Sequence, residues 1–220
     1  MSDLITLKNP QSPAAEAYRA LRTNILFSSV DRPVHTLVVT SPAPSDDADD
    51  KSAVVANLAV AMAQAGHPTI LVDADLRRPA QHTIWNLPNT AGLSSMMLEE
   101  NARPPLASVG VENLSVLTSG PLPPNPADLL SAKRMDQAIE LLKGQAEYVL
   151  FDAPPVLAAS DATLLASKLD GLLLVIKAGS TRRDHAQRAR EVLERVKIRI
   201  IGVALSNAPR DTSISYGSRK

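Results

Sequence analysis

Short apolar runs alternate with longer helical patterns, and this alternation constrains the fold more than any other feature of the chain. Six runs have the length of β-strands, and most are apolar at every position. They lie at residues 35–41, 69–73, 114–120, 148–154, 172–178 and 200–206. Continuous apolar runs are typical of parallel strands that helices cover on both faces. Helical patterns lie between the runs, at residues 13–28, 51–65, 127–143, 160–169 and 182–196. The order predicts a doubly wound α/β fold, with a mostly parallel sheet flanked by helices.

Length and composition fit one domain of this kind. The chain has 220 residues, with 23 Lys and Arg against 23 Asp and Glu, so no net charge favours a nucleic-acid partner. It has no cysteine, which excludes disulfides and thiolate metal sites. No apolar segment reaches the roughly 20 residues of a membrane span. We expect a soluble cytoplasmic protein, with a single domain at residues 1–208 and a flexible polar tail at 209–220.

Two segments show how local patterns differ in strength. The helical pattern at 51–65 predicts one apolar stripe and, at Gly66, a C-terminal stop. The stripe consists of Val54, Val55, Leu58, Met62 and Ala65. Residues 79–113 are less regular, and we expect short helices there over one edge of the sheet.

Polar residues follow three of the predicted strands. Thr40 and Ser41 end the first strand, while Asp73 and Asp152 end two others. Ligands of open α/β sheets lie beyond the carboxyl ends of the strands, so these side chains predict a site at that edge. A strand-end aspartate can equally cap the next helix, and the pattern alone leaves that alternative open.

The connection after the first strand departs from a phosphate-binding loop. Such loops follow G-x-x-x-x-G-K-[ST], because glycine permits the dihedrals that turn backbone N–H groups towards phosphate. Lys51 and Ser52 match the end of that pattern, but "PAPSDDADD" at 42–50 contains no glycine. It contains four aspartates, namely Asp46, Asp47, Asp49 and Asp50. Two unit charges about 8 Å apart repel by about 2 kcal/mol at an effective dielectric constant of 20, so the loop opposes a bound triphosphate.

Three interpretations of the acidic loop stay open. Asp49 or Asp50 could cap the following helix and fill its anion site from within the chain. The loop could bind Mg²⁺ or Ca²⁺, although it lacks the glycine and the distal glutamate of an EF-hand loop. It could also fold aside and admit a nucleotide.

Several segments, in order, resemble one family. "LVVTS…KS", "TILVDADLRRP" and "YVLFDAPPV" are joined by "EAYRALRTNI" at 16–25 and "SGPLPPNPADLLSA" at 119–132. From about residue 13 to residue 208 the chain resembles the cytoplasmic kinase domain of bacterial tyrosine kinases. That family is a branch of the deviant P-loop ATPases related to the ParA/MinD partition proteins. Compared with the family's usual loop, residues 42–50 are about three residues too long.

The resemblance implies ATP and Mg²⁺ as cofactors and gives the candidate residues roles. Asp73 and Asp75 match the two carboxylates of the family's additional aspartate motif, and Asp152 matches the Walker B aspartate; all three are catalytic candidates. Lys51 and Ser52 match the residues that contact phosphate and magnesium. The implied metal set is Ser52, Asp73 and Asp152.

Outside the central site, the resemblance implies further roles. Asn207 matches a position near the adenine, although a simple turn residue is an equal interpretation. Glu16, Arg19 and Arg22 match a pattern associated with ring assembly, which implies a homo-oligomer. The family has a cluster of C-terminal tyrosines, whereas this tail offers only Tyr216 as a phosphorylation candidate.

These observations lead to three hypotheses. The first is a tyrosine kinase-like protein with impaired nucleotide binding, which acts as a scaffold or regulator of exopolysaccharide or capsule synthesis and export. Its expected partner is a membrane-bound polysaccharide chain-length or co-polymerase protein, which would recruit it to the inner face of the membrane. The second is an active ATP-dependent tyrosine autokinase of the same pathway. The third is a partition-type, MinD-like ATPase.

Overall fold

A seven-stranded sheet forms the centre of the chain in a computed structural model that describes residues 4–28, 31–44, 49–98 and 103–209. Its strands are β1 (Thr36–Thr40), β2 (Thr69–Asp73), β3 (Ala107–Ser108), β4 (Leu114–Leu117), β5 (Tyr148–Asp152), β6 (Gly171–Lys177) and β7 (Ile200–Ser206). The spatial order is β3-β4-β2-β5-β1-β6-β7, and only the β3–β4 pair is antiparallel. The predicted mostly parallel sheet is confirmed.

Helices cover both faces of this sheet. They are α1 (Ile5–Lys8), α2 (Pro13–Ser28), α3 (Asp49–Ala63), α4 (Gln81–Ile84), α5 (Leu93–Leu98), α6 (Pro126–Ser131), α7 (Lys133–Lys143), α8 (Asp161–Ala166) and α9 (Arg183–Arg195). One apolar core lies between the sheet and α5 to α9, and the other between the sheet and α1 to α3. The two cores confirm the doubly wound architecture. Among these described helices, none is long and apolar enough to cross a bilayer.

Helix α3 differs from its predicted single stripe. It ends at Ala63, two residues early, and Ala65 is exposed. Its residues from Val54 to Ala63 are all buried, because α2 packs on the side that would otherwise face solvent. Gly66 follows with a φ of +89°, which agrees with its predicted role as a stop.

Two other segments also differ from the predicted secondary structure. The pattern at 127–143 is two helices, α6 and α7, separated by Ala132 in an extended conformation. They diverge because α6 packs against α8, whereas α7 packs against α5 and β5. In the segment 79–113, the expected short helices are α4 and α5, but strand β3 was not predicted. Two residues are too short to show the alternating pattern of a strand.

Candidate functional site

The ends of β2 and β5 bring three carboxylates together, and we call Asp73, Asp75 and Asp152 the carboxylate cluster. β2 and β5 are neighbours, and Asp73 lies directly opposite Asp152 in their register. Both side chains are fully buried, and Asp75, two residues beyond β2, is 5% exposed. The structure thus places the three carboxylates that the sequence singled out at one point of the sheet edge.

Lys51 reaches this cluster from the first turns of α3. Its ammonium group forms an ion pair with Asp152 Oδ1 and lies 3.7 Å from Asp75 Oδ2. Lys51 is 7% exposed and Ser52 is 2% exposed. A lysine is buried at such a depth only where an anion compensates its charge, and here the chain supplies that anion itself.

Gln81 connects the cluster to α3, and the sequence did not single it out. Its Nε2 donates to Asp152 Oδ2 at 2.8 Å and to the backbone carbonyl oxygen of Ser52 at 3.0 Å. Its Oε1 accepts a hydrogen bond from Trp85 Nε1 at 3.2 Å. The side chain is fully buried with each of its polar atoms engaged. A lone glutamine at the start of a four-residue helix has no pattern that predicts this position.

The two oxygens of Asp73 have different environments. Oδ2 accepts hydrogen bonds from the backbone N–H groups of Ala80 and Gln81, at 3.0 and 2.9 Å. Oδ1 is buried and has no hydrogen-bond partner among the described residues. Burial, followed by the charge of Asp152, raises the pKa of Asp73 well above its ordinary value.

Asp75 is also held in a less polar environment than water. Burial raises the pKa of Asp75, although the nearby ammonium of Lys51 and the N–H of Arg78 act in the opposite direction. The Arg78 N–H donates to Asp75 Oδ1 at 3.0 Å. The cluster therefore holds more carboxylates than its one lysine neutralises.

A second ion pair closes the turn after β2. Arg77 Nε and an Nη atom donate to the two oxygens of Asp161, at 2.8 and 2.9 Å. Asp161 is fully buried at the start of α8, while the Arg77 side chain is 44% exposed. Neither Arg77 nor Asp161 is among the site residues predicted from the sequence. The bidentate pair ties the turn after β2 to the helix after β5.

A cavity of about 260 Å³ opens beside the cluster. Its charged lining consists of Lys51, Asp75, Arg77, Arg78 and Lys177. Its apolar lining includes Pro154, Pro155, Ala158 and Val175. The volume lies just below the roughly 300–1,000 Å³ of small-molecule pockets. The lining carries both signs of charge, and two of its cations, Lys51 and Arg77, are already paired with carboxylates.

The candidate residues Asn207, Glu16, Arg19 and Arg22 are not among the described residues that line this cavity. Asn207 is exposed in a turn after β7 with a φ of +51°, and it is not among the described residues that line the cavity. On α2, Arg19 pairs with Glu16 at 2.7 Å, and Arg22 donates to the carbonyl of Ala61 at 3.0 Å. Tyr216 lies outside the described residues.

The acidic loop is described only in part. Residues 45–48, with two of the four aspartates, lie outside the described residues. The backbone of Asp49 and Asp50 begins α3. The three interpretations of this loop therefore stay predictions.

The arrangement of the cluster does not suit Mg²⁺ while Lys51 is in place. Magnesium binds oxygen ligands in a nearly octahedral shell and retains several waters. Both oxygens of Asp152 are engaged, one by Lys51 and one by Gln81. Within the described ranges, no three His, Asp or Glu side chains are arranged to hold a metal ion together. The metal roles of Ser52, Asp73 and Asp152 stay predictions.

Comparison with known proteins defines the class and then the family. A ParA family model, described as NUBPL iron-transfer P-loop NTPase, matches residues 50–208. Tyrosine-protein kinase YwqD of Bacillus subtilis is 40% identical over 98% of this chain and 90% of its own length. The chain belongs to the bacterial tyrosine-protein kinases, within the ParA-like P-loop NTPases.

Solved structures agree with this assignment. The chimerical protein CapA2B2 is 38% identical, with a TM-score of 0.87 over 94% of this chain and 90% of that one. The kinase domain of Escherichia coli tyrosine kinase ETK is 30% identical, with a TM-score of 0.86 over 97% of this chain and 83% of that one. The family resemblance found in the sequence is thereby confirmed.

Proposed function

We propose that this chain is a kinase-like protein with impaired nucleotide binding, which acts as a scaffold or regulator of exopolysaccharide or capsule synthesis and export. The observation that supports this most strongly is the state of Lys51. The lysine expected to contact phosphate is buried against Asp152 and lies 3.7 Å from Asp75. A phosphate group must compete with these carboxylates for the same ammonium.

The loop sequence supports the same proposal from the other side of the site. No glycine occurs between Ser41 and Lys51, so the backbone cannot readily adopt the dihedrals that direct N–H groups towards phosphate. The four aspartates of residues 46–50 add negative charge where a triphosphate would lie. The carboxylate partners of Lys51 and the negative charge of the loop therefore both disfavour a bound triphosphate.

The proposed partner is a membrane-bound polysaccharide chain-length or co-polymerase protein, which would recruit this chain to the inner face of the membrane. The similarity to a solved chimerical protein, CapA2B2, favours a chain that works joined to a second polypeptide. We further propose that residues 1–208 act as one domain with a tail at 209–220, and that copies associate through Glu16, Arg19 and Arg22.

Calorimetric titration with Mg-ATP and with Mg-ADP tests the proposal. We expect no micromolar binding by the wild-type chain. In a repaired variant, residues 43–50 are replaced by a glycine-containing loop of family length, and we expect micromolar binding to appear. Micromolar binding by the wild type would refute the impairment. A repaired variant that ignores both nucleotides would show that the loop is not its cause.

An active autokinase is the second candidate function, because the carboxylate cluster is intact at the ends of β2 and β5. On this alternative Lys51 would exchange its carboxylate partners for phosphate, and Tyr216 could receive the phosphoryl group. It requires label transfer from γ-labelled ATP that is abolished in Asp73→Asn. A partition-type ATPase is a third candidate, favoured only by the match to the ParA family model.

A further inference from the structure

We propose that the ammonium group of Lys51 is the resident cation of the carboxylate cluster and that it excludes a free divalent metal ion from this site. The inference deepens the proposed function and rests on it in one respect: no bound phosphate draws Lys51 away from the cluster. In this role, Lys51 neutralises negative charge inside the protein instead of contacting a bound ligand.

The charges at the site require an internal cation. Three carboxylates lie together, with exposures of 0% for Asp73, 5% for Asp75 and 0% for Asp152. Ionised carboxylates that leave water without a counter-charge are strongly destabilised. Among the residues that the structure describes, Lys51 is the cation paired with this cluster, through Asp152 directly and Asp75 at 3.7 Å. Its side chain thus provides the charge that a bound metal ion would otherwise supply.

Gln81 makes the exclusion effective. Its amide holds Asp152 Oδ2 at 2.8 Å and is itself fixed by the carbonyl of Ser52 and the indole of Trp85. With Oδ1 paired to Lys51, both oxygens of Asp152 already have a partner, so an incoming metal ion must compete with Lys51 or Gln81. A small shift of the carboxylate cannot free one oxygen without breaking a buried hydrogen bond.

Asp73 shows that the cluster retains capacity for a cation. Its Oδ1 is fully buried and has no hydrogen-bond partner among the described residues. This oxygen is an independent sign of an unfilled ligand position, beyond the acidic character of the cluster. If the ammonium of Lys51 is removed, Asp152 Oδ1 and Asp75 Oδ2 lose the cation beside them. Carboxylate oxygens are the ligands that Mg²⁺ and Mn²⁺ prefer, so a divalent ion can then take the place of the ammonium group.

The experiment compares metal binding by the wild type and Lys51→Met, with no nucleotide present. Free Mn²⁺ is measured by its paramagnetic resonance signal during titration of each protein. We expect the apparent affinity of Lys51→Met for Mn²⁺ to exceed that of the wild type by about tenfold or more, since a buried unpaired carboxylate gains most from a new cation.

Lys168→Met is the matched control, because Lys168 pairs with Asp136 at 2.6 Å in another part of the molecule. It should bind Mn²⁺ no better than the wild type. Equal affinities for the wild type and Lys51→Met would overturn the proposal.

A measurement on the wild type keeps the proposal testable if Lys51→Met does not fold. Acetic anhydride labels accessible lysines, and mass spectrometry reports the rate at each site. We expect Lys51 to be labelled far more slowly than the exposed Lys143, and millimolar Mg²⁺ to leave that rate unchanged. Faster labelling of Lys51 with Mg²⁺ would mean that the metal displaces the ammonium, against the proposal. Binding of Mg-ATP in the separate titration would instead refute the proposed function, so the two failures can be told apart.

Discussion

Two regions meet at the carboxyl edge of the sheet, and they match the pattern of a nucleotide site to different extents. One is the connection from β1 to α3, where residues 42–50 contain no glycine and four aspartates. The other is the carboxylate cluster at the ends of β2 and β5, which is complete and buried. Both regions would serve the same ligand in a nucleotide-binding relative, so their common task does not explain the difference.

Burial explains it. A change in the carboxylate cluster leaves a partner unpaired inside the protein, because Lys51, Asp152 and Gln81 satisfy one another. A substitution that breaks no buried contact has a small effect on folding, so we expect a bound phosphate to be the main constraint on the sequence of residues 42–50. A buried set of carboxylates can therefore be retained because the fold needs it, whether or not the protein has an activity that uses it.

The largest effect is expected for Lys51→Met. Removal of the ammonium leaves Asp152 buried and charged, which should lower the free energy of unfolding by about 3 kcal/mol. Lys168→Met, which breaks the more exposed Lys168–Asp136 pair, should lower it by no more than about 1 kcal/mol. Urea denaturation of both variants measures the contrast. Comparable losses of unfolding free energy in the two variants would contradict the proposed difference between buried and surface groups.

A double variant sharpens this test. Lys51→Met with Asp152→Asn removes both charges of the pair, so it should be more stable than Lys51→Met alone. Additive losses in the double variant would mean that Lys51 stabilises the fold through contacts other than Asp152.

A smaller effect is expected for Gln81→Met, which keeps the volume of the side chain and removes its amide. Asp152 Oδ2 and the Ser52 carbonyl lose their donor, so the free energy of unfolding should fall by about 2 kcal/mol. The chain has one tryptophan, and Trp85 donates to Gln81, so the fluorescence maximum should shift in the folded protein. Gln187→Met is the control, since Gln187 donates to Glu191 on the exposed side of α9. A Gln81→Met protein with the stability and fluorescence of the wild type would contradict the linking role.

The sequence predicts the fold better than it predicts the site, for physical reasons. Strands such as β2 and β5 are continuous apolar runs, and such runs can be recognised in the sequence without knowledge of any tertiary contact. A site at their final residues, Asp73 and Asp152, is predicted by the rule that ligands lie at the carboxyl ends of parallel strands. The resemblance to the tyrosine kinases implied roles for these residues, which the pattern of apolar and polar residues cannot indicate.

The residues that the sequence missed are those whose partners are remote. Gln81 meets Asp152 across 71 positions, and Arg77 meets Asp161 across 84. Neither pair has a characteristic spacing, because the contact depends on how β2, β5 and the helices after them pack. The partnership of Lys51 with Asp152 was missed for the same reason, since the loop pattern assigns that lysine to phosphate.

The smallest effect, with the opposite sign, is expected for Asp73→Asn. Burial and the nearby Asp152 raise the pKa of Asp73 well above its ordinary value of 3.8, so the folded chain keeps this proton at a pH where the unfolded chain has lost it. Its contribution to stability therefore falls as the pH rises from that ordinary value through the folded-state pKa. Asparagine cannot ionise, so the variant should gain about 1 kcal/mol over the wild type at neutral pH, and the gain should disappear in acid.

Asp170→Asn provides the control of opposite sign. Burial acts to raise the pKa of Asp170, but hydrogen bonds from Thr36 and His35 hold it below its ordinary value. The Asp170 carboxylate thus stabilises the fold above the unfolded-state pKa, and this contribution is lost as the pH falls through the folded-state pKa. Urea denaturation over a series of pH values should show Asp170→Asn less stable than the wild type near neutrality, with a deficit that shrinks in acid. If Asp73→Asn shows that same pattern, Asp73 is held as a satisfied carboxylate, and the excess negative charge inferred for the cluster is wrong.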